Sequence, residues 1–425
     1  MMRFPRPARC MVFAVLACLC HGAMSAADTM SVTQAVERAR AAYPLSRQTD
    51  LINKAASYSV AQAYKGYYPQ VSVTAQATYQ SDVTAVPFSL PSMSITPLSN
   101  DQYRLQAEVS QTMYDGGMMS NMESIARAAS ALQGRQLDVE LYKLRDRVQQ
   151  LVAGIVMLHE QIDQVRTRMS DVQATRAAIR GAVDAGAALR SDIDMLDAEL
   201  LTARQREATL MSERLAYVGM LSMLTGTTID TSTSFMLAPS FEQRHTLQRP
   251  ELAAFDAQSN LVQARERAID ARSLPRFSAF VQGGYGRPGL NMLRNEFDPY
   301  YVMGVRMMWT LTDLYASADE RELLQVEQQQ IDVQRATFDM NAQLTLTQLE
   351  RQIQAFDKVL ALDDDIIAKR TAVRNVTKAQ FEAGTVRAHD YLRDANSLDM
   401  AIRDRTMHRL QRSLAILTHD YISGN

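Results

Sequence analysis

Two hydrophobic periods alternate along the chain. Val71, Val73, Ala75, Ala77 and Tyr79 interleave with Ser72, Thr74, Gln76, Thr78 and Gln80. A spacing of two predicts a strand with one apolar and one polar face. Tyr103, Leu105, Ala107 and Val109 interleave with Arg104, Gln106, Glu108 and Ser110 in the same way. Phe277, Ala279, Val281 and Tyr285 form a third such run, and Tyr301, Met303, Val305, Met307 and Trp309 a fourth, with Arg306 on the opposite face. The intervening segments "PFSLPSMSITPLSND" and "RPGLNMLRNEFDP" have loop composition. Each strand is about ten residues long, enough to cross a bilayer when tilted.

Elsewhere the period lengthens. Leu137, Leu141, Leu144, Val148, Leu151, Ile155, Leu158, Ile162, Val165, Met169 and Val172 step by four and three without a miss. That is the seam of a coiled coil. A second seam, Leu346, Leu349, Ile353, Phe356 and Leu360, is broken at Asp363. The run from Asp115 to Gly186 predicts a helix about 105 Å long at 1.5 Å per residue. A return helix of about 40 residues follows and ends at Gly226, or at Gly424 in the later copy. Shorter helices are expected over Ser31–Gly66 and Arg249–Arg272.

The pattern occurs twice. Pro44 and Pro69 correspond to Pro250 and Pro275 at an offset of 206, whereas Asp115, Gly186, Asp192 and Gly226 correspond to Asp313, Gly384, Asp390 and Gly424 at 198. A duplication with one shorter loop follows, and a unit this long used twice suggests pseudo-symmetry rather than a solenoid. The expected division is 28–230 and 231–425. Each part holds a short helix, a strand hairpin (about 67–113 and 275–312) and a long helical hairpin with its tip near 186 or 384. Four strands cannot close a barrel, and open sheet edges are not tolerated in lipid. Three copies would give twelve strands above a helical tube.

The N-terminus predicts export, to the periplasm, the outside or an outer-membrane barrel. Arg3, Arg6 and Arg9 precede the apolar "MVFAVLACLC" and the small residues of "AMSAAD", which predicts a signal peptide over 1–27. All three cysteines lie within it, so the mature chain would have none; Cys18 in "VLAC" is a weak candidate for lipidation. Removing 1–27 leaves 42 basic against 47 acidic side chains, a net −5 that offers no basic field to nucleic acid. No apolar run reaches the 18 residues of a membrane-spanning helix.

Catalytic chemistry finds no support. The six His are scattered without ligand spacing, and no nucleophile elbow or phosphate loop stands in a usable context. No cofactor or metal is implied. Asp363, Asp364 and Asp365 read as an exposed helix face. Tyr67, Tyr68, Tyr114 and Trp309 gather at one end of the strands, as in an interfacial aromatic belt.

The segments "MSVTQAVERARAAYP", "YKGYYPQVSVTAQ", "MYDGGMMSNMESIARA", "DAGAALRSDIDMLDAEL" and "FEAGTVRAHDYLRDANSL" resemble, in order, spacing and duplication, the TolC family of outer-membrane efflux channels. The likeness covers nearly the whole mature chain. It implies a mainly α fold with a membrane β-barrel: a homotrimer whose twelve strands, four per chain, continue into a periplasmic α-helical coiled-coil barrel. It also implies a periplasmic adaptor and an inner-membrane transporter as partners, and an outer-membrane location. Gly186 and Gly384 would reverse the helices at the periplasmic tip, with Leu189 and Thr385 beside them where an adaptor docks. The gate would be built from Asp192, Asp390, Asp394, Phe381, Arg387 and Arg393. Asp390 fits a ring aspartate and Asp192 the acid of a constricting contact, which Arg387 or Arg393 would complete. Phe381 stands where a Tyr is expected, Val386 where an Arg is, and Arg393 where a second ring Asp is. Arg104, Glu108 and Arg306 would face the barrel lumen, and Val71, Val73, Tyr79, Leu105, Val281, Val305 and Trp309 the lipid. A periplasmic coiled-coil scaffold or adaptor without a pore is the alternative.

Overall fold

The computed structural model describes residues 29–84, 97–186, 188–231, 233–237, 241 and 246–424. The expected signal peptide, Cys18 and most of the first strand loop lie outside them.

A short strand β1 (Thr29–Ser31) leads into helix α1 (Val32–Ala42), where Ser31 and Gln34 cap each other's backbone N–H at 3.1 Å. The chain then breaks at Pro44, enters a 3₁₀ turn and continues as α2 (Gln48–Tyr64). The single helix expected over Ser31–Gly66 is therefore two. A residue before proline is pushed out of the helical region, and Tyr43 is extended (φ −65°, ψ 127°).

Strands β2 (Gln70–Tyr79) and β3 (Asp101–Tyr114) form the first hairpin. Helices α3 (Met118–Asp184) and α4 (Arg190–Thr225) follow. Strand β4 (Ser234–Met236) pairs in parallel with β1, so the opening strands of the two halves meet. The second half then runs α5 (Pro250–Arg272), β5 (Arg276–Arg287), β6 (Asp298–Met308), α6 (Thr312–Glu382) and α7 (Ala388–Ser423). The 67 and 71 residues of α3 and α6 span about 100 and 107 Å.

The four long strands form one antiparallel sheet in the order β2-β3-β5-β6. The repeat offsets hold at the level of hydrogen bonding. Gln70↔Ser110 in the first hairpin becomes Arg276↔Met308 in the second, and Tyr79↔Asp101 becomes Tyr285↔Pro299. The register gives the two faces different character, one largely apolar and one mixed, since Phe280 and Val302 share the face of the charged residues. Val73, Ala107, Gly283 and Tyr301 share one row, and Val71, Val109, Val281 and Met303 the next, all on one face. Glu108, Gln282 and Ser72 lie on the other, with Arg104 and Arg306. Trp309 falls one residue beyond β6, where its indole N–H donates to the Ser273 carbonyl at 3.1 Å.

The helices pack along their seams. Leu144, Val148, Val152 and Ile155 of α3 are buried against Val218 and Leu221 of α4 and against Met30, Ala35 and Ala39. Leu349 and Ile353 of α6 meet Ala415 and Ile416 of α7. Asp363 is not exposed as expected. It sits in this second seam, buried, with its carboxylate 2.7 Å from His408 Nδ1 of α7. Its neighbour Asp364 does face outward and pairs with Arg405 at 2.7 Å. Among the described residues no helix is long and apolar enough to cross a membrane, and no His/Cys/Asp/Glu group could hold a metal.

Candidate functional site

Two regions carry the candidate residues: the helical tip and the sheet. At the tip, α3 reverses into α4 through Gly186 (φ 72°), and α6 into α7 through Gly384 (φ 74°). This left-handed conformation is open to glycine at little cost and closes the last helical turn. Gly186 N–H reaches Val183 O, and Gly384 N–H reaches Phe381 O, both at 2.9 Å. The Thr385 hydroxyl adds a bond to Gln380 O at 2.9 Å.

The equivalent aspartates past each turn do different work. Asp192 is buried and accepts the Leu189 N–H at 3.3 Å, satisfying an orphan donor at the start of α4. Asp390 is more open, and its carboxylate lies 3.6 Å from Arg393 on its own helix. Arg393 also reaches Asp394 at 3.2 Å. Asp394 accepts a 2.7 Å bond from the Thr377 hydroxyl of α6. That bond, with Arg393, holds its carboxyl below the usual range against the opposing effect of burial. Within one chain Arg393 therefore serves Asp390 and Asp394, and Asp192 serves the α4 backbone. Arg387 is the N-cap of α7, its carbonyl accepting the Asp390 N–H at 3.0 Å.

A charged connection between the two hairpins lies deeper. Asp171 of α3 accepts a 3.0 Å bond from the Tyr391 hydroxyl of α7. Lys378 Nζ of α6 lies 3.2 Å from the same carboxylate, and Arg374 Nη1 3.5 Å. Thr175 Oγ1 is 3.2 Å from the Tyr391 hydroxyl. Burial raises the Asp171 carboxyl, but the bond and charge of Lys378, with Tyr391 and Arg374, outweigh it and hold the pKa below the ordinary value. Burial is the first cause of the raised Tyr391 phenol pKa. Tyr391 is fully buried and stacks on Phe381, with centroids 5.7 Å apart and planes at 10°. The hydroxyl at this stack belongs to Tyr391, ten positions after Phe381. This cluster was missed in the sequence because Asp171 stands beside the apolar seam, and its partners come from helices more than 200 residues away.

On the sheet, Arg306 and Glu108 form an ion pair at 3.1 Å that bridges over β5, with the guanidinium 4.5 Å above the Phe280 ring. Arg104 stands on the same face, in the Gln76–Gly286 row. The opposite face is apolar and uncovered: Val71, Val73, Val305 and Tyr301 are each about 70% exposed. A contiguous exposed apolar surface of this kind marks an interface with protein or membrane.

These features define the class. The chain has the fold of the TolC-like outer-membrane channels. It is similar to CusC, a protein studied for folding and transmembrane channel formation, with a TM-score of 0.71 and 14% identity over 93% of this chain and 92% of that one. It is also similar to the outer-membrane protein VceC of Vibrio cholerae (0.66, 15% identity, 93% and 96% covered). A third match is the open-state outer-membrane channel MtrE of Neisseria gonorrhoeae (0.65, 14% identity, 93% and 89% covered). No protein-family model and no curated protein matches the sequence.

Proposed function

We propose that three copies of this protein form an exit duct in the outer membrane of a Gram-negative bacterium. The duct passively conducts substrates delivered by an inner-membrane transporter and a periplasmic adaptor, as in a tripartite efflux or type I secretion system. The carrying observation is a two-faced sheet with unpaired edges, β2 and β6, set on helices about 100 Å long. Lipid supplies no partner for those edges, so further copies must, and three complete a twelve-stranded barrel. The apolar face then meets lipid. The opposite orientation would place Arg104 and Arg306 in the bilayer at ~2–4 kcal/mol each near the midplane. A scaffold without a pore would leave the uncovered apolar face unexplained.

The helical tip is the gate in this reading. Gly186, Leu189, Gly384 and Thr385 present the adaptor with small residues and one exposed apolar anchor, Leu189. Asp390 from three chains would ring the axis, while the Asp171 cluster ties one hairpin to the other. A ring of carboxylates attracts cations. In planar bilayers the protein is expected to form cation-selective channels, and Asp390→Asn to lower that selectivity severalfold with little change in closure. Channels that keep full selectivity after this substitution would move the charged constriction to Asp394. No ion conduction at all would defeat the duct itself.

A further inference from the structure

A cavity of about 810 Å³ lies where α2, the start of α3 and the base of the sheet meet. Most of its sheet wall belongs to the polar face: Thr112, Ser278 and Arg306 share one row, and Arg276 pairs with Met308 beside it, with Phe277 adding a ring at the margin. Its helical wall carries Met118, Met119 and Met122. Thioether side chains are flexible and polarisable and adapt to apolar guests of varied shape. The volume falls within the range of small-molecule sites, about 300–1,000 Å³.

The charged groups around this cavity are held in different ways. Asp115 accepts the N–H groups of Gly117 and Met119, at 2.9 and 2.7 Å, at the start of α3. Arg306 is neutralised by Glu108. Arg276 has no acidic partner among the described residues. The cavity therefore joins an adaptable apolar wall to one guanidinium outside any ion pair, with the Asp115 carboxylate buried against the start of α3.

We propose that this cavity binds an amphipathic organic anion, with its acid group on Arg276 and its apolar body against the three methionines. That such an anion is cargo in transit rests on the duct reading; the binding itself does not. Gly66 supplies an independent handle. A Cβ there would come within 2.8–2.9 Å of the Met119 thioether, which has to swing away and reshape the cavity.

The test is equilibrium dialysis of the full-length protein in a non-ionic detergent against octanesulfonate, with octanol as the neutral control. One saturable site per chain is expected. Arg276→Gln should weaken octanesulfonate binding about tenfold, Arg276→Lys should largely retain it, and Gly66→Ala should weaken it at least threefold. Octanol should bind at least tenfold more weakly than octanesulfonate. Octanesulfonate binding left unchanged by Arg276→Gln in the folded protein would overturn the site. So would unchanged binding in Gly66→Ala, should the Arg276 variants not fold. Wild-type bilayer conductance, recorded separately, shows whether the duct stands irrespective of the binding result.

Discussion

Asp171→Ala is expected to hold the tip open and to raise the mean conductance of the channel manyfold at neutral pH. The carboxylate is the shared acceptor for Tyr391, Lys378 and Arg374, and no other described side chain joins all three. These groups are only about a quarter exposed, so the contacts are little screened. A charge-assisted network of this kind contributes roughly 2 kcal/mol per chain to the closed state, a factor of about 30 in the closed-to-open ratio. Tyr391→Phe removes one bond and keeps the stack on Phe381, so its effect should be smaller and in the same direction. The dependence on pH follows from the sign of the shift. Asp171 has a depressed pKa in this structure, so its contribution to the proposed closed tip is complete above the ordinary carboxylate range. It is lost as pH falls through the depressed value. Wild-type channels should thus stay shut near neutrality and open only in acid, as pH falls from the ordinary carboxylate range toward the depressed value, and Asp171→Ala should abolish that acid step. An unchanged conductance in Asp171→Ala would place the lock elsewhere.

Replacing both Gly186 and Gly384 by Leu is expected to abolish export while leaving trimers in the membrane. A Cβ at Gly186 meets nothing within 4 Å, so a side chain there projects outward, where an adaptor would approach. The backbone cost is about 1–2 kcal/mol for a non-glycine residue in this conformation. The hairpins have more than that in reserve, since Val172, Ile179, Leu196, Phe381, Tyr391 and Leu392 form a buried core behind the tips. Export assayed in cells, beside the trimer content of outer-membrane fractions, separates lost docking from lost folding. Normal export by the double variant would remove the tip from the docking surface.

The strands were legible because a sheet with two different environments writes them into the sequence as alternation. Val71, Val73 and Tyr79 against Ser72 and Gln76 needed no tertiary information. The α3 seam was equally plain: Leu144, Val148, Ile155 and Leu158 fall at steps of four, seven and three and are all buried. The break at Pro44 was written there too, but two helices meeting at a proline keep one apolar periodicity, and the pattern hides the bend. Asp363 was misread because a buried acid is indistinguishable from an exposed one until its partner is found, and His408 lies 45 residues on. The tip was legible only in part. Its glycines follow from backbone geometry. Which carboxylate joins which hairpin depends on how helices from separate repeats are rotated against each other, and Asp171 carries no mark of that in its own neighbourhood.

Barrel closure is open to one direct measurement. Applying the two repeat offsets to the β3–β5 pairing Ala107↔Gly283 places Val305 of β6 opposite Ala77 of β2 in the next copy. Directly opposed residues have Cβ atoms about 4.5–5.5 Å apart, within reach of a disulfide. The mature chain would have no cysteine of its own, so Ala77→Cys with Val305→Cys should yield covalent trimers on mild oxidation. Val73→Cys with Val305→Cys is displaced by four residues, about 13 Å along the strand, and should not cross-link. Covalent trimers from the 77/305 pair alone would show three copies closing one barrel edge to edge. Monomers from both pairs, in protein extracted from the outer membrane, would contradict it.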